Sequence, residues 1–222
     1  MNSAIIQLLV LAAIALFLIL RLKSVLGTRD GFERPAFPTV PDKLGQPAAR
    51  QEPASATPGK DRDIIDHVPE GSAAAGALAQ MKQAEPSFNV GDFLRGARGA
   101  YEMILMAFQK GELDAVRPFL GREVAESFDE IIDARKQQGL TIDATFVGIR
   151  ELSLADATFD AATKTAEMKI RFTGEFVSVV HDANGKVVEG DATEIRRQKD
   201  LWVFARKMGS ADPNWQLVET GE

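Results

Sequence analysis

The sequence contains no cysteine and only two histidines, His67 and His181, among its 222 residues. The absence of cysteine excludes a disulfide framework and any metal site that is built on thiolates. The chain also lacks a glycine-rich phosphate loop, a Ser-His-Asp order and a pair of histidines at metal-binding spacing. We therefore expect no cofactor and no enzymatic activity.

One acid–base arrangement and one histidine remain open from the sequence. Asp143 on a strand and Tyr101, the one tyrosine, on a helix are candidates for a base and a hydrogen-bond donor in a pocket. A surface carboxylate and a packed tyrosine are the more ordinary interpretation of these two residues. His181 has the strand parity of Val177 and Val179 and lies beside a hairpin turn predicted at Asn184-Gly185, which favours a solvated histidine at a strand end.

Positive charge is scarce in the second part of the chain. Residues 87–222 contain 17 Lys and Arg against 23 Asp and Glu, a net charge of -6. Because an acidic domain repels phosphate backbones, nucleic acid is excluded as a partner. The run "RRQK" at 196–199 is the local exception; a solvated strand face is its ordinary interpretation, and contact with anionic lipid headgroups is the alternative.

A long apolar run is present near the N-terminus, over residues 4–20, with Gln7 as its one polar interruption. At a helical rise of 1.5 Å per residue it covers roughly 25 Å, close to the hydrocarbon core of about 30 Å, and the flanking Arg21 and Lys23 can reach the interface. No Lys or Arg precedes the run and no small-x-small cleavage pattern follows it. These features predict a retained transmembrane anchor over residues 1–24 rather than a cleaved signal.

The charges around this run predict its orientation. Arg21, Lys23, Arg29 and Arg34 all follow the run. The positive-inside rule then places the remainder of the chain in the cytoplasm. The sequence therefore predicts a single-pass protein of the inner membrane whose C-terminal domain is cytoplasmic.

Residues 25–86 have the composition of a tether. Eight of the ten prolines lie between Asp30 and Pro86, together with many small and polar residues. Such a segment cannot bury enough apolar surface to offset its ordering entropy, which predicts flexibility. Two short helices are expected within it, at 63–68 and 72–83, and the second has Leu78 and Met81 on one side. Packing of this second helix on its own domain is favoured over a membrane-surface or partner helix.

A folded domain is predicted from residue 87 to the end. Apolar residues at three-to-four spacing predict a helix that begins near Asp92 and ends at Gly111, and a second helix ends at Gly139. The period then changes to two, which predicts either one long strand or two strands with a break at Gly148, followed by a strand with a bend or bulge at Gly174. Helices followed by an antiparallel meander indicate the α+β class.

Three stretches of this domain resemble the C-terminal domain of Tim44, a mitochondrial inner-membrane import-motor subunit, and its bacterial relatives. They are "GARGAYEMILMAFQKGELDAVRPFL" (96–120), "FDEIIDARKQQG" (128–139) and "DLWVFARKMGSADPNWQLVET" (200–220). The resemblance implies a fold like nuclear transport factor two, a cone in which a curved antiparallel sheet surrounds helices and an apolar pocket. It also implies a membrane-associated adaptor.

The large apolar side chains of this domain are the candidate pocket or partner-binding residues. Most of them are expected to be core, because the domain has few other large side chains, and the pocket is implied chiefly by the resemblance. The candidates are Phe93, Tyr101, Leu105, Phe108, Phe172, Trp202, Phe204 and Trp215.

Two functions follow from these observations. One is a tethered, non-catalytic adaptor that recruits protein partners, such as a chaperone of the heat-shock-seventy kind or a membrane complex, to the inner membrane. The alternative is a membrane-linked binder of a lipid-like small molecule in the pocket, with an enzyme less favoured.

The predicted anchor has a direct test. A reporter that is active only in the cytoplasm, fused after Glu222, should give signal, because the positive charges follow the apolar run. Signal from a reporter that works only outside the cytoplasm would contradict the predicted orientation.

Overall fold

The structure is a computed structural model that describes residues 61–221. The predicted anchor at residues 1–24, with its flanking Arg21 and Lys23, lies outside the described residues, as does the predicted tether up to residue 60. Within residues 61–221, no helix has both the length and the apolar character needed to cross a bilayer.

The described chain belongs to the α+β class, as the sequence predicts, with helices first and an antiparallel sheet after them. In chain order the elements are α1 (Arg62–Ile65), α2 (Ala73–Ala84), α3 (Val90–Lys110), a 3-10 turn (Arg117–Phe119), α4 (Arg122–Gln137), β1 (Thr141–Asp160), β2 (Thr165–His181), β3 (Val187–Gly190), β4 (Arg196–Lys207) and β5 (Gln216–Gly221).

The five strands form one sheet in the order β1-β2-β4-β5, and the short β3 also pairs with β2. Every pairing is antiparallel. The turn that joins β2 to β3 contains Gly185 at a φ of 77°, in agreement with the predicted Asn184-Gly185 hairpin. The sheet therefore positions β2 at its centre and β1 at an edge.

Strand β1 runs unbroken past Gly148, which agrees with the single long strand rather than with the two strands that the sequence also allowed. Its register against β2 skips one residue at each of three places, Val147, Arg150 and Ala155. Each skip is a bulge that resets the alternation of side chains. Because of these resets, Phe146, Ile149, Leu152, Leu154 and Ala157 all reach the core despite their uneven spacing.

The helices α3 and α4 have recognisable sequence boundaries. Asn89 accepts a hydrogen bond from the Asp92 amide at 2.8 Å and begins α3, and Gly111 ends it in the left-handed conformation. Gly139, at a φ of 67°, follows α4 in the same way. The C-terminal ends of α3 and α4 thus lie at Gly111 and Gly139, the two glycines from which they were predicted.

One face of the sheet, here called the inner face, packs against the helices. On β2 it carries Ala166, Met168, Ile170 and Phe172, each with no exposed surface. On β4 it carries Trp202 and Phe204, which lie opposite Ile170 and Met168. The opposite, outer face of β2 carries Lys169, Arg171 and Glu175. The alternation predicted from the sequence for β2 therefore matches the structure.

The folded part begins earlier than residue 87. Helix α2 packs against β1, and its Leu78 and Met81 have no exposed surface. Ile64 and Val68 around α1 are buried in the same core. A flexible tether is therefore wrong for residues 62–86, whereas the packing of the second short helix on its own domain, which was favoured above, agrees with the structure.

Charged groups attach α1 and α2 to the rest of the domain. The Asp63 carboxylate accepts hydrogen bonds from the amides of Val90 (2.8 Å) and Gly91 (3.1 Å) at the start of α3. Lys82 Nζ lies 2.7 Å from Asp63 Oδ2. Two side chains of the N-terminal segment are thereby tied to each other and to the first turn of α3.

A second attachment lies at the end of α2. The Glu85 carboxylate accepts hydrogen bonds from Arg206 Nη2 (2.6 Å) and from the Gly209 amide (2.9 Å). Arg206 also lies with its guanidinium carbon 5.3 Å from the centre of the Trp215 ring. The ion pair is mostly buried, so Glu85 links the end of α2 to β4 and the loop after it.

These attachments predict a loss of stability in acid. Partial burial raises the pKa of Glu85, but the Arg206 guanidinium and the Gly209 amide outweigh it and hold the pKa below its usual range. Lys82 and two backbone amides likewise outweigh burial at Asp63. Since both pKa values are lowered by folding, the free energy of unfolding should fall as the pH drops below about 4, where the unfolded carboxyls take up protons.

Urea unfolding of the full chain in detergent, followed by tryptophan fluorescence at several pH values, measures this loss. Glu85→Gln should flatten the acid dependence, since the shifted group is gone. The matched control is Glu123→Gln on the exposed face of α4. Equal acid dependence in the two variants would show that the Glu85 attachment contributes nothing.

Candidate functional site

The aromatic candidates form one connected array on the inner face of the sheet. Tyr101 stacks on Phe172 with ring centres 4.3 Å apart and contacts Trp202 at 4.7 Å. The array continues from Trp202 to Phe204 at 6.1 Å. From there it passes to Phe93 at 6.1 Å and ends at Trp215, 4.7 Å from Phe93. The rings therefore fill the space between α3 and the sheet.

Most of the eight candidates are core residues. Tyr101 and Phe172 have no exposed surface, and Phe204, Trp202, Leu105 and Phe93 expose 2 to 8%. Phe108 and Trp215 are half-buried at opposite ends of α3. These two are the candidates that keep ring surface for a partner.

Tyr101 makes a buried polar contact within this apolar array. Its hydroxyl donates a hydrogen bond to Asp200 Oδ2 at 2.5 Å, and Gln198 Nε2 donates to Asp200 Oδ1 at 2.7 Å. Burial, and then the bond to Asp200, raise the pKa of Tyr101 well above its usual value. The phenol consequently stays protonated and acts as a donor that aligns α3 with β4.

Gly174 on β2 is where Tyr101 approaches the sheet most closely. A Cβ atom at this position would lie 2.5 Å from Tyr101 Oη, far inside contact distance. The pairing of β2 with β4 is regular here, with Gly174 opposite Gln198, whereas the pairing with β1 has a bulge directly after Ile149, the residue opposite Gly174. The irregularity predicted at Gly174 therefore lies beside it, on β1. Glycine is needed for close approach, and the bulges lie on the neighbouring strand.

Phe108 belongs to a separate contact at the C-terminal end of α3. Its ring lies 4.5 Å from the ring of Phe128 on α4. The Arg135 guanidinium lies over the same ring and donates a hydrogen bond to the Phe108 carbonyl oxygen at 2.6 Å. Burial lowers the pKa of Arg135. This arrangement caps α3 and joins it to α4.

Two surface depressions, of about 300 and 310 Å³, are lined by other residues than the eight candidates. The first lies on the outer face beside Val203 and Lys169, with Asp156, Glu167 and Glu219 at its rim. The second lies at the start of β1, beside Asp143 and Thr145. The aromatic residues predicted as pocket candidates therefore line neither depression.

The possible acid–base residues lie on different faces. Asp143 is largely exposed at the start of β1, whereas Tyr101 is buried against the inner face. Asp143 is instead paired with His181, whose Nδ1 lies 3.3 Å from its Oδ2. The structure thus separates Asp143 from Tyr101 and joins it to the histidine. Among residues 61–221, no three His, Asp or Glu side chains are grouped as metal ligands.

The side chains of the basic run at 196–199 alternate between the two faces of β4. Arg196 lies 3.2 Å from Glu189, and Arg197 Nε donates to Glu175 at 2.9 Å. Lys199 points to the same face as Arg197, one step further along β4. Two of the three positive charges therefore already have carboxylate partners.

Comparison with known proteins gives a family match over most of the described chain. The model of the Tim44-like domain family matches residues 74–222. Human mitochondrial import inner membrane translocase subunit TIM44 is 24% identical over 145 residues, which cover 64% of this chain and 32% of that protein. Arabidopsis thaliana TIM44-1 is 22% identical over 151 residues, covering 65% and 31%. The chain thus spans about a third of the length of these relatives.

Among solved structures, the crystal structure of the intermembrane space region of chloroplast protein ARC6 aligns with 58% of this chain and 94% of that one. The sequence identity is 16% and the TM-score 0.39.

The contact between Tyr101 and Gly174 can be tested by a double-mutant cycle. Gly174→Ala should lower the free energy of unfolding by about 1–3 kcal/mol, because the added methyl group overpacks the space that Tyr101 Oη occupies. In the Tyr101→Phe background the same change should cost less, since the nearest atom is gone. Urea unfolding of the full chain measures both, with Gly148→Ala, where the Cβ has open space, as the control. Additive effects would show that the two residues do not interact.

Proposed function

Because this chain belongs to the Tim44-like domain family, we propose that it is a membrane-tethered, non-catalytic adaptor that recruits protein partners to the cytoplasmic face of the inner membrane. The family match over residues 74–222 is the observation that carries this proposal. The relatives named above are, by their names, subunits of a translocase of the mitochondrial inner membrane. This chain would share with them a role in binding other proteins at a membrane.

The packing of the domain supports recruitment rather than turnover. The rings of Tyr101, Phe172 and Trp202 occupy the inner face of the sheet, where the alternative function needs space for a lipid-like molecule. Asp143 and His181 lie on the outer face at the start of β1, away from this array. The inner face therefore supplies stability, and the surface is left to make the functional contacts.

A tether gives an adaptor a physical advantage. An anchored domain is confined near the bilayer, which raises the effective concentration of whatever it binds for other components of the same membrane. An enzyme for a soluble substrate would gain little from this confinement. The anchor expected at residues 4–20 and the proline-rich residues that follow it fit the first role.

Several finer features belong to the same proposal. They are the cone shape like that of nuclear transport factor two, a partner such as a chaperone of the heat-shock-seventy kind, and an inner-membrane location with the domain in the cytoplasm. Contact of the remaining basic side chain Lys199 with anionic lipid is a subsidiary part of it.

Affinity purification of the full chain in mild detergent tests the adaptor role. Specific protein partners in stoichiometric amount should co-purify, and they should be lost with Trp202→Ala. This change should cost roughly 3–5 kcal/mol, a large part of a domain stability of about 5–15 kcal/mol, because Trp202 is buried. The exposed Val187→Ala is the matched control and should keep the partners.

A different outcome would favour the alternative function. If the chain purifies without protein partners but with a bound small molecule, and Tyr101→Phe or Asp143→Asn abolishes conversion of that molecule, the adaptor proposal is wrong.

A further inference from the structure

The outer face of the sheet holds a depression with an acidic rim, here called the acidic hollow. It is the depression of about 300 Å³ described above, and it extends across β1, β2, β4 and β5. Its floor contains Val203, which is 5% exposed. Three carboxylates, those of Asp156, Glu167 and Glu219, and one amine, that of Lys169, surround this floor, so the hollow has a net charge of -2. An apolar floor with an acidic rim fits a side chain that combines an aliphatic stem with a positive end.

Positive side chains lie next to the hollow on the same face. Arg171 follows Lys169 by two residues on β2, and Lys199 lies one step further along, on β4. Both side chains are exposed, and neither has an ion-pair partner among the described residues. Arg197, the next residue on this face of β4, is paired with Glu175. We call these three side chains the basic zone. It leaves two positive charges unpaired in a domain that is acidic as a whole.

One row of the sheet lies midway between the hollow and Lys199. In this row Arg171, Leu201 and Gly221 lie opposite one another on β2, β4 and β5. Leu201 is half-buried there. Because a strand rises roughly 3.3 Å per residue, Lys199 lies about 7 Å to one side of this row and Val203, at the floor of the hollow, about 7 Å to the other. Leu201 is thus central to both charged regions.

A twofold axis through Leu201 would place each charged region against the other. Rotation by 180° brings Lys199 of one copy over the hollow of the second copy, beside Glu219, and brings Leu201 to its own counterpart. Arg171 then faces Gly221, which has no side chain to obstruct it. An isologous interface requires this property, since the same surface of both subunits must be complementary to itself.

We propose that the chain self-associates through the outer face of its sheet, as a twofold dimer in which the basic zone of each copy occupies the acidic hollow of the other. The helices pack against the inner face, so this surface is open in the described chain. The occupant is a second copy because one rotation supplies partners to the hollow and to the unpaired bases together. The inference concerns the assembly of the chain itself and does not depend on the adaptor role.

The charges of this interface set the conditions under which the dimer forms. Ion pairs between exposed side chains each contribute little and are screened by salt, so the association is weak and weakens further as the ionic strength rises. The anchor expected at residues 4–20 would confine two copies to one membrane and raise their effective concentration. A covalent trap therefore measures this association better than the mass of the protein in dilute solution.

The absence of cysteine permits a specific crosslinking test, since an introduced cysteine is the one thiol of the chain. Leu201→Cys places it on the proposed axis. Facing sheets lie about 10 Å apart, whereas the Cα atoms of a disulfide lie about 4–7 Å apart, so a short bismaleimide such as bismaleimidoethane is used. The full chain in mild detergent should give a crosslinked dimer on a denaturing gel.

The matched control is Lys207→Cys, on the same face of the same strand. It lies six residues from Leu201, so its two copies would be about 40 Å apart in the proposed dimer. Its side chain is more exposed than Leu201, so random collisions would crosslink it at least as well. We expect little or no dimer from this control.

Charge reversal tests which side chains meet across the axis. In the Leu201→Cys chain, Lys199→Glu and separately Glu219→Lys should each lower the yield of dimer at least about fivefold, because each brings like charges together. A chain that carries both changes should recover the yield, since the pair is restored with its signs exchanged. Added salt should lower the yield of the Leu201→Cys chain without further changes.

Equal dimer yields from Leu201→Cys and Lys207→Cys would overturn the proposal, as would a double charge reversal that restores nothing. If no dimer forms and Lys199→Glu instead removes a co-purifying protein, the basic zone binds that protein and the proposal is wrong. If crosslinking occurs only in vesicles with anionic phosphatidylglycerol and not in neutral phosphatidylcholine, the basic zone contacts lipid and the proposal is again wrong. Crosslinking uses no protein partner, so its failure is distinct from failure of the affinity purification.

Discussion

The position of one side chain, Tyr101, fixes how the helices meet the sheet. Its ring stacks on Phe172 at 4.3 Å, and its hydroxyl donates to the Asp200 carboxylate at 2.5 Å. Gly174 leaves the space for that hydroxyl, since a Cβ there would lie 2.5 Å from it. A buried carboxylate without a donor is costly, so the phenol and Asp200 stabilise each other within an apolar surrounding. A single residue of α3 therefore sets its distance from both β2 and β4.

This packing determines where function can be located. Rings fill the inner face, so the partner contacts that we propose for this domain fall to its outer surface. Helix α2 lies against one edge of the sheet and is attached there by its buried apolar side chains and by the ion pairs of Lys82 with Asp63 and of Glu85 with Arg206.

Sequence periodicity predicts the parts of this fold in which local pattern and packing agree. The apolar stripe and caps of α3, and the alternation of β2, are examples, since each side chain lies where its spacing implies. Leu78 and Met81 supply the apolar side on which the packing of α2 was predicted, but the alanines and prolines around these two fully buried residues led to a domain boundary placed too late, at residue 87. The bulges of β1 and the role of Gly174 depend on neighbours distant in sequence. Asp200 was also missed, although it shares strand parity with Trp202 and Phe204, which marks it as facing inward.

The single tyrosine of the chain permits a direct measurement of the filled interior. Alkaline titration of the full chain, followed by tyrosinate absorbance, reports on Tyr101 alone. If Tyr101 is buried and bonded to Asp200, its pKa is raised, and the phenol should remain protonated well above its ordinary pKa of about 10, ionising only as the domain unfolds. Ionisation near pH 10 in a chain that is still folded would mean that water reaches the ring, and it would contradict the account of a closed, ring-filled interior.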